Sequence, residues 1–148
     1  MSTFTQILYQ IVYSTKNREP VLAKDSRGKL NNDILGILKQ KKCHPYIING
    51  VEDHLHIITH LHPSVALADL VKDIKLGSSS FIKEKQIFPG FSGWQEGYAA
   101  FTYSIREKER LIRYVENQEK HHQKMTFREE LIQMLKNHDV PFDEKYLF

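Results

Sequence analysis

Apolar side chains alternate through residues 4–14: Ile7, Tyr9, Ile11 and Tyr13 fall on one side of an extended chain, Leu8 and Val12 on the other. That pattern predicts a strand covered on both faces. The stretch NREP ends it, because Pro20 has no N–H to give a ladder. Asp25 or Ser26 can then cap a helix running to about Lys42, with Leu30, Ile34, Leu35, Ile37 and Leu38 as its apolar stripe. A short strand at 45–49 closes at Asn49-Gly50, residue types that suit a tight turn, and 54–62 is its hairpin partner. Pro63-Ser64 opens a second helix carrying Leu67, Leu70, Val71 and Ile74 at i, i+3, i+4 and i+7.

After an aromatic, glycine-rich loop at 86–95, Tyr98, Phe101, Thr102 and Tyr103 mark a fourth strand at about 97–104. Two helices at 107–122 and 126–138 follow, then an extended tail ending Tyr146-Leu147-Phe148. The order β-α-β-β-α-β with added C-terminal helices predicts an α+β fold, a ferredoxin-like split βαβ antiparallel sheet. Residues 1–148 read as one domain, with about 124–148 as an appendage.

Composition narrows the picture. A chain of 148 residues with 41% hydrophobic positions can bury a core of its own, roughly 70% of the surface its unfolded form exposes. Cys43 is the single cysteine, which excludes an internal disulfide, a thiolate zinc cluster and a CxxC pair and fits a reducing cytoplasm. No run approaches the ~20 apolar residues of a membrane helix, and MSTFTQILYQ lacks the marks of a signal peptide. The net charge of +3 says little about partners. Its distribution says more: between Lys16 and Lys42 eight basic residues stand against three acidic ones. Such a block either attracts phosphates or is a solvated helix face.

Candidate chemistry lies in 54–62. The even positions are His54, His56, Ile58, His60 and His62, so period two puts four histidines on one face. Imidazoles two apart on a strand project side by side and can reach one divalent cation; the alternative is a pair of hydrogen-bonded structural histidines. On the helix 107–122, Tyr114 and Gln118 are four apart and share a face bordering the apolar arc of Leu111, Ile112 and Val115. Tyr114 can meet both sheet and solvent there, or merely pack its ring at the helix edge.

These residues carry a resemblance. His54-Leu55-His56 has the His-hydrophobic-His form of the HUH nucleases. Its setting NGVEDHLHIITHLHPSVALADLVKDIKLGSSS, the start YQIVYSTKNREPVL, the segment FPGFSGWQEGYAAFTYS and the late RYVENQEKHHQK followed by TFREELIQMLKNHDVPFDEKYLF resemble, in order and over nearly the whole chain, the small single-tyrosine transposases of bacterial insertion sequences. That family includes the REP-associated tyrosine transposases. HxH followed at this distance by YxxxQ on a late helix is the specific part of the match. The resemblance implies that His54 and His56 bind metal, that Gln118 completes the metal site, and that Tyr114 is the nucleophile. His60 and His62 fall outside the family pattern and are left as structural, nucleic-acid-binding or decoy metal residues.

The implied activity is metal-dependent cleavage and rejoining of single-stranded DNA at hairpin-bearing element ends, through a 5′-phosphotyrosine and a free 3′-OH. A free phenol ionises near ~10, so an ion must aid the reaction at neutral pH. Two imidazoles, an amide oxygen and phosphate oxygens suit Mg²⁺ or Mn²⁺. Lys16, Arg18, Lys72 and Lys75 are candidate phosphate contacts. The implied partners are single-stranded or hairpin DNA and a second copy of the chain, a homodimer by merged sheets, with the tyrosine helix serving its own or its partner's histidines. The implied location is the bacterial cytoplasm, at the nucleoid when bound to DNA. Three rivals stay open: a non-catalytic nucleic-acid-binding sheet, a domesticated inactive copy, and a small metallohydrolase acting on a soluble phosphoester.

Overall fold

The computed structural model describes residues 2–147. Four strands, β1 (Leu8–Ser14), β2 (Pro45–Gly50), β3 (His54–His60) and β4 (Ala99–Tyr103), form one sheet in the order β2-β3-β1-β4. Every neighbouring pair is antiparallel, as a split βαβ sheet requires. Helices α1 (Lys24–Gln40) and α2 (Leu67–Lys85) are its crossovers. The helices α3 (Lys108–Glu116), α4 (Gln118–His121) and α5 (Phe127–Asn137) follow β4. The expected α+β architecture is present.

The two sheet faces divide the labour. Ile11 and Tyr13 of β1 and Leu55 and Ile57 of β3 point toward α1 and α2 and join Leu30, Ile34, Leu70 and Ile74 in the largest apolar cluster. The opposite face carries Leu8 and Ile58 against Leu111 and Val115 of α3. It also carries Val12, Ala99 and Phe101 against Phe127, Leu131 and Met134 of α5. The alternation in 7–13 is thus a strand buried on both sides, with one helical layer for each set of positions.

Several boundaries differ from the sequence pattern. The first strand begins at Leu8 rather than 4; Phe4 is 91% exposed. Helix α1 starts one residue before Asp25, and its N-cap is Ala23 without a side-chain cap. Helix α2 begins at Leu67, after a turn in which Val65 N–H donates to the His62 carbonyl. The β2–β3 connection is Val51 to Asp53, not Asn49-Gly50. Gly50 is required for close approach rather than for a turn dihedral: a Cβ there would lie 2.1 Å from the His54 carbonyl oxygen. The tail is not wholly extended, since Glu144–Tyr146 forms a 3-10 turn; Phe148 lies outside the described residues.

The single helix expected over 107–122 is broken at Asn117 (φ −94°, ψ 21°) into α3 and α4. The cause lies in β2. The Asn49 side-chain amide donates to the carbonyls of Val115 (2.9 Å) and Glu116 (3.4 Å), occupying acceptors that a continuous helix would use. Glu119 on α4 is in turn tied to Lys24 and Arg27 of α1, each at 3.2 Å.

Candidate metal and nucleophile site

His54 and His56 sit on the α3/α5 side of β3, both fully buried. Their rings approach edge to face, with centroids 5.3 Å apart. Despite the break at Asn117, Gln118 is buried beside them and its Oε1 lies 3.2 Å from His54 Nε2. Tyr114 reaches the same spot from the last turn of α3, its ring 5.9 Å from that of His56. The four residues predicted for metal and nucleophile therefore converge.

At their centre is a residue not anticipated from the sequence. Glu130 of α5 is 1% exposed. Its Oε1 lies 3.0 Å from His56 Nε2, 3.1 Å from His122 Nε2 and 3.3 Å from His54 Nε2. Its Oε2 accepts from the Tyr114 hydroxyl and from Gln118 Nε2, the latter at 3.1 Å. His122, just past α4, also brings Nε2 to 3.1 Å from Gln118 Oε1. His54, His122 and Glu130 each offer a ligand atom within 4.8 Å of the others.

Two signals for these residues were present in the sequence. Gln118 and His122 are four apart, and Glu130 interrupts the apolar stripe of Phe127, Leu131 and Met134. The capping box of α5, in which Thr126 Oγ1 accepts from Glu129 N–H (3.2 Å) and Glu129 Oε1 from Thr126 N–H (3.3 Å), sets where that stripe points. By contrast, nothing in the sequence pairs Gln10 of β1 with the site. Its amide lies 3.0 Å from His56 Nδ1 and accepts from the Tyr103 hydroxyl at 2.8 Å.

Electrostatics follow from this packing. Burial alone lowers the affinity of His54 for a proton, but hydrogen bonds to Asp53 and Glu130 outweigh it and raise its pKa. His56 goes the other way, because burial dominates. Burial works against the charge of Glu130, yet contacts from His122, His54 and His56 hold its pKa far below the carboxylate range. Tyr114 is pushed up by burial and by the Glu130 carboxylate, so its phenol is protonated at neutral pH.

The donor set fits a cation. His54 Nδ1 faces the Asp53 carboxylate at 2.7 Å and His122 Nδ1 faces the Met125 carbonyl at 2.9 Å, both pure acceptors. Each Nδ1 therefore carries a proton, and in the neutral ring each Nε2 presents a lone pair. Those lone pairs meet only acceptors: Gln118 Oε1, whose amide orientation is fixed by its donation to Glu130, and Glu130 Oε1. Such an arrangement needs either extra protons or a positive ion at the centre. As arranged, His56 accepts at Nδ1 from Gln10 and donates from Nε2 to Glu130; turning the Gln10 amide reverses this, and the Tyr103 hydroxyl can serve either orientation.

The other candidates lie apart. Lys16 and Arg18 are exposed in a 3-10 turn and line a cleft of about 680 Å³ with Ser14, Trp94 and Gln95. Lys72 is exposed on α2, across the sheet from the histidines. Lys75, also on α2, donates to the carbonyls of Gln95 (2.7 Å), Glu96 (3.3 Å) and Gly97 (2.7 Å), and so pins the loop before β4. His60 Nδ1 accepts from the Ile7 N–H at 3.2 Å, and His62 pairs with Ser64 at 2.7 Å; both act locally, away from the cluster.

Residues 3–118 match the family model described as "Transposase IS200 like". The chain belongs to the IS200-like transposase family. This transposase is similar to the ISDra2 transposase TnpA of Deinococcus radiodurans, 24% identical over 118 residues that cover 76% of this chain and 84% of that protein. It also resembles a 1.90 Å crystal structure of an inferred transposase from Deinococcus radiodurans, with TM-score 0.59 and 25% identity over 80% of this chain and 95% of that one. A REP-associated tyrosine transposase bound to a REP hairpin shares the fold, with TM-score 0.61 and 14% identity over 82% and 74% of the two chains. His122 and Glu130 lie beyond the matched residues of the transposase. Among its described residues no helix is long and apolar enough to cross a membrane.

Proposed function

We propose that the transposase cleaves and rejoins single-stranded DNA with Tyr114 as nucleophile, at a divalent-ion site built on His54, His56 and Gln118. The observation that carries this reading is the convergence of the Tyr114 hydroxyl, both histidines and Gln118 on one buried carboxylate. A divalent ion held by these residues would supply Lewis-acid charge to the scissile phosphate. Tyr114 Oη forms the new bond to phosphorus while the bond from phosphorus to the 3′-oxygen breaks, leaving a 5′-phosphotyrosine and a 3′-OH. The hydrogen bond to Glu130 Oε2 orients the Tyr114 hydroxyl, and the proton that the phenol gives up is balanced by the one that the leaving 3′-oxygen takes up from solvent. His54 is held in place by Asp53 and by its stack on Phe127, with ring centroids 4.2 Å apart.

The substrate in this reading is single-stranded DNA with a hairpin, by analogy with the structural neighbour that is bound to a REP hairpin. Lys16 and Arg18 in the cleft beside Trp94, with Lys72 more remotely, supply phosphate contacts. A second copy of the chain pairs along β2 or β4, the edge strands of the sheet. The test is incubation with hairpin-bearing single-stranded DNA and Mn²⁺, followed by denaturing electrophoresis. A covalent protein–DNA adduct is expected from the wild type and not from Tyr114→Phe. An adduct that persists in Tyr114→Phe removes the nucleophile. Salt-sensitive binding with no cleavage, unchanged by chelator or His56→Ala, would instead favour a non-catalytic binding module.

A further inference from the structure

The family match ends at residue 118, yet the centre of the site is filled from residues 122 and 130. We propose that the appended segment of this chain completes the ion site: His122 Nε2 and Glu130 Oε1 are ligands beside His54, His56 and Gln118, and Glu130 Oε2 ties the ion to the Tyr114 hydroxyl. This rests on the reading of the site as an ion-dependent nucleophile, and it deepens that reading by naming ligands beyond the residues that the family model matches.

Geometry carries the assignment. His122 is oriented as metal-ligating histidines are, with Nδ1–H on a backbone carbonyl and Nε2 turned inward. Its Nε2 lies 3.1 Å from both Glu130 Oε1 and Gln118 Oε1, so three side chains from α4, the turn after it and α5 surround one small volume. The two oxygens of Glu130 face different partners. Oε1 faces the three imidazoles and Oε2 faces the phenol and the Gln118 amide nitrogen. One carboxylate therefore fixes the position of the nucleophile relative to the ion. A cleft of about 410 Å³ lined by Asp53, His122 and Phe127 opens beside the ligands and provides a path of entry.

The chemistry of the set also ranks the two candidate ions. Mg²⁺ prefers an octahedron of oxygens and keeps much of its water, whereas Mn²⁺, a first-row transition ion, accepts imidazole nitrogen more readily. Adding His122 to the strand histidines makes the site nitrogen-rich, which favours Mn²⁺ over Mg²⁺.

The test uses the full chain stripped of metal, titrated with MnCl₂ and separately with MgCl₂, and read by calorimetry and by the electron paramagnetic resonance of free Mn²⁺. The wild type is expected to bind Mn²⁺ at least about tenfold more tightly than Mg²⁺. Glu130→Gln and His122→Ala are each expected to weaken Mn²⁺ binding by about 10–100-fold, with His122→Ala narrowing the preference over Mg²⁺. Circular dichroism in chelator shows which variants fold; His122 is only part-buried, so His122→Ala keeps the test open if Glu130→Gln is lost to misfolding. Wild-type Mn²⁺ affinity in both variants, with loss in His54→Ala and His56→Ala, would overturn the proposal and leave the nucleophile reading intact, with α5 covering the site rather than building it. No Mn²⁺ binding by the wild type would overturn both.

Discussion

Gln10 offers the sharpest link between the sheet and the site. It sits mid-strand in β1 at 1% exposure, and its amide joins the Tyr103 hydroxyl (2.8 Å) to His56 Nδ1 (3.0 Å). Replacement by leucine keeps nearly the same volume, so no cavity is left and the polar loss is isolated. His56 is fully buried, and an orphaned ring nitrogen there costs about 1–3 kcal/mol. The lost bond to Tyr103 adds roughly 0.5–1.5 kcal/mol. Gln10→Leu is therefore expected to lower unfolding free energy by roughly 2–4 kcal/mol, a fall in Tm of about 5–15 °C for a domain of this size. Urea unfolding in chelator measures it. Freed from its relay, His56 also loses its fixed orientation, so Mn²⁺ affinity is expected to drop about 10–100-fold. Tyr103→Phe should cost far less in the Gln10→Leu background than alone, because the hydroxyl has already lost its partner. A change under about 0.5 kcal/mol with unaltered Mn²⁺ affinity would refute the relay.

Other substitutions separate structural from DNA-binding roles. Gly50→Ala is expected to destabilise by roughly 2–4 kcal/mol and to weaken ion binding, since the new Cβ must displace the His54 carbonyl; thermal melts and Mn²⁺ titration check both. Lys75→Met is expected to cost roughly 1–2 kcal/mol of stability, because three carbonyls lose a charged donor, while leaving the salt dependence of DNA binding unchanged. Lys16→Ala and Arg18→Ala should do the reverse, each reducing the slope of log K against log salt by about 1 with little effect on the melt. Burial raises the phenol pKa of Tyr13 and pushes that of Tyr103 up to about 12. The unfolded phenols ionise near ~10, so this stability is present below pH ~10 and lost as pH rises toward the folded values. Tyr13→Phe should reduce that alkaline loss and, because the Tyr13 hydroxyl has no partner among the described residues, add about 1 kcal/mol at neutral pH in urea titrations.

What was legible in the sequence was whatever depends on local periodicity. Two-residue alternation through 4–14 and 54–62 marked both central strands and put His54 and His56 on one shared face, because successive side chains of an extended chain point to opposite sides. The i, i+4 spacing of Tyr114 and Gln118 held although the helix breaks between them. Asn117 N–H still donates to the Arg113 carbonyl and His122 N–H to that of Gln118, so the turn geometry persists on either side. The break itself was not legible, because Asn49, which causes it, lies 66 residues before Val115. Gln10 and Asp53 are illegible in the sequence for the same reason: a buried amide and a loop carboxylate gain roles only from what the fold sets opposite them. Glu130 could have been suspected from an acid in an apolar stripe, but its distance from HxH hid its partners. Lys75 looked like a free cation on a polar helix face until the loop before β4 closed over its amine.

The arrangement of apolar clusters explains why the site is built where it is. A buried carboxylate facing three imidazoles is costly unless its charge is met and its helix is held down by something else. On the α3/α5 face that hold comes from two apolar clusters flanking the polar one: Leu8 and Ile58 with Leu111 and Val115 on one side, Val12 and Phe101 with Phe127, Leu131 and Met134 on the other. Phe127 belongs to both worlds, packing in the second cluster while its ring stacks on His54. Deleting the segment after 124 would therefore remove Phe127, Leu131, Met134 and Leu135, all buried, together with Glu130. At about 1.5–3 kcal/mol per buried side chain, as an upper bound, the four apolar residues approach the 5–15 kcal/mol that typically holds a whole domain. A truncated chain that loses ion binding then reports on unfolding as much as on ligands, whereas Glu130→Gln keeps the apolar wall and changes only the charge and one hydrogen-bonding oxygen at its centre.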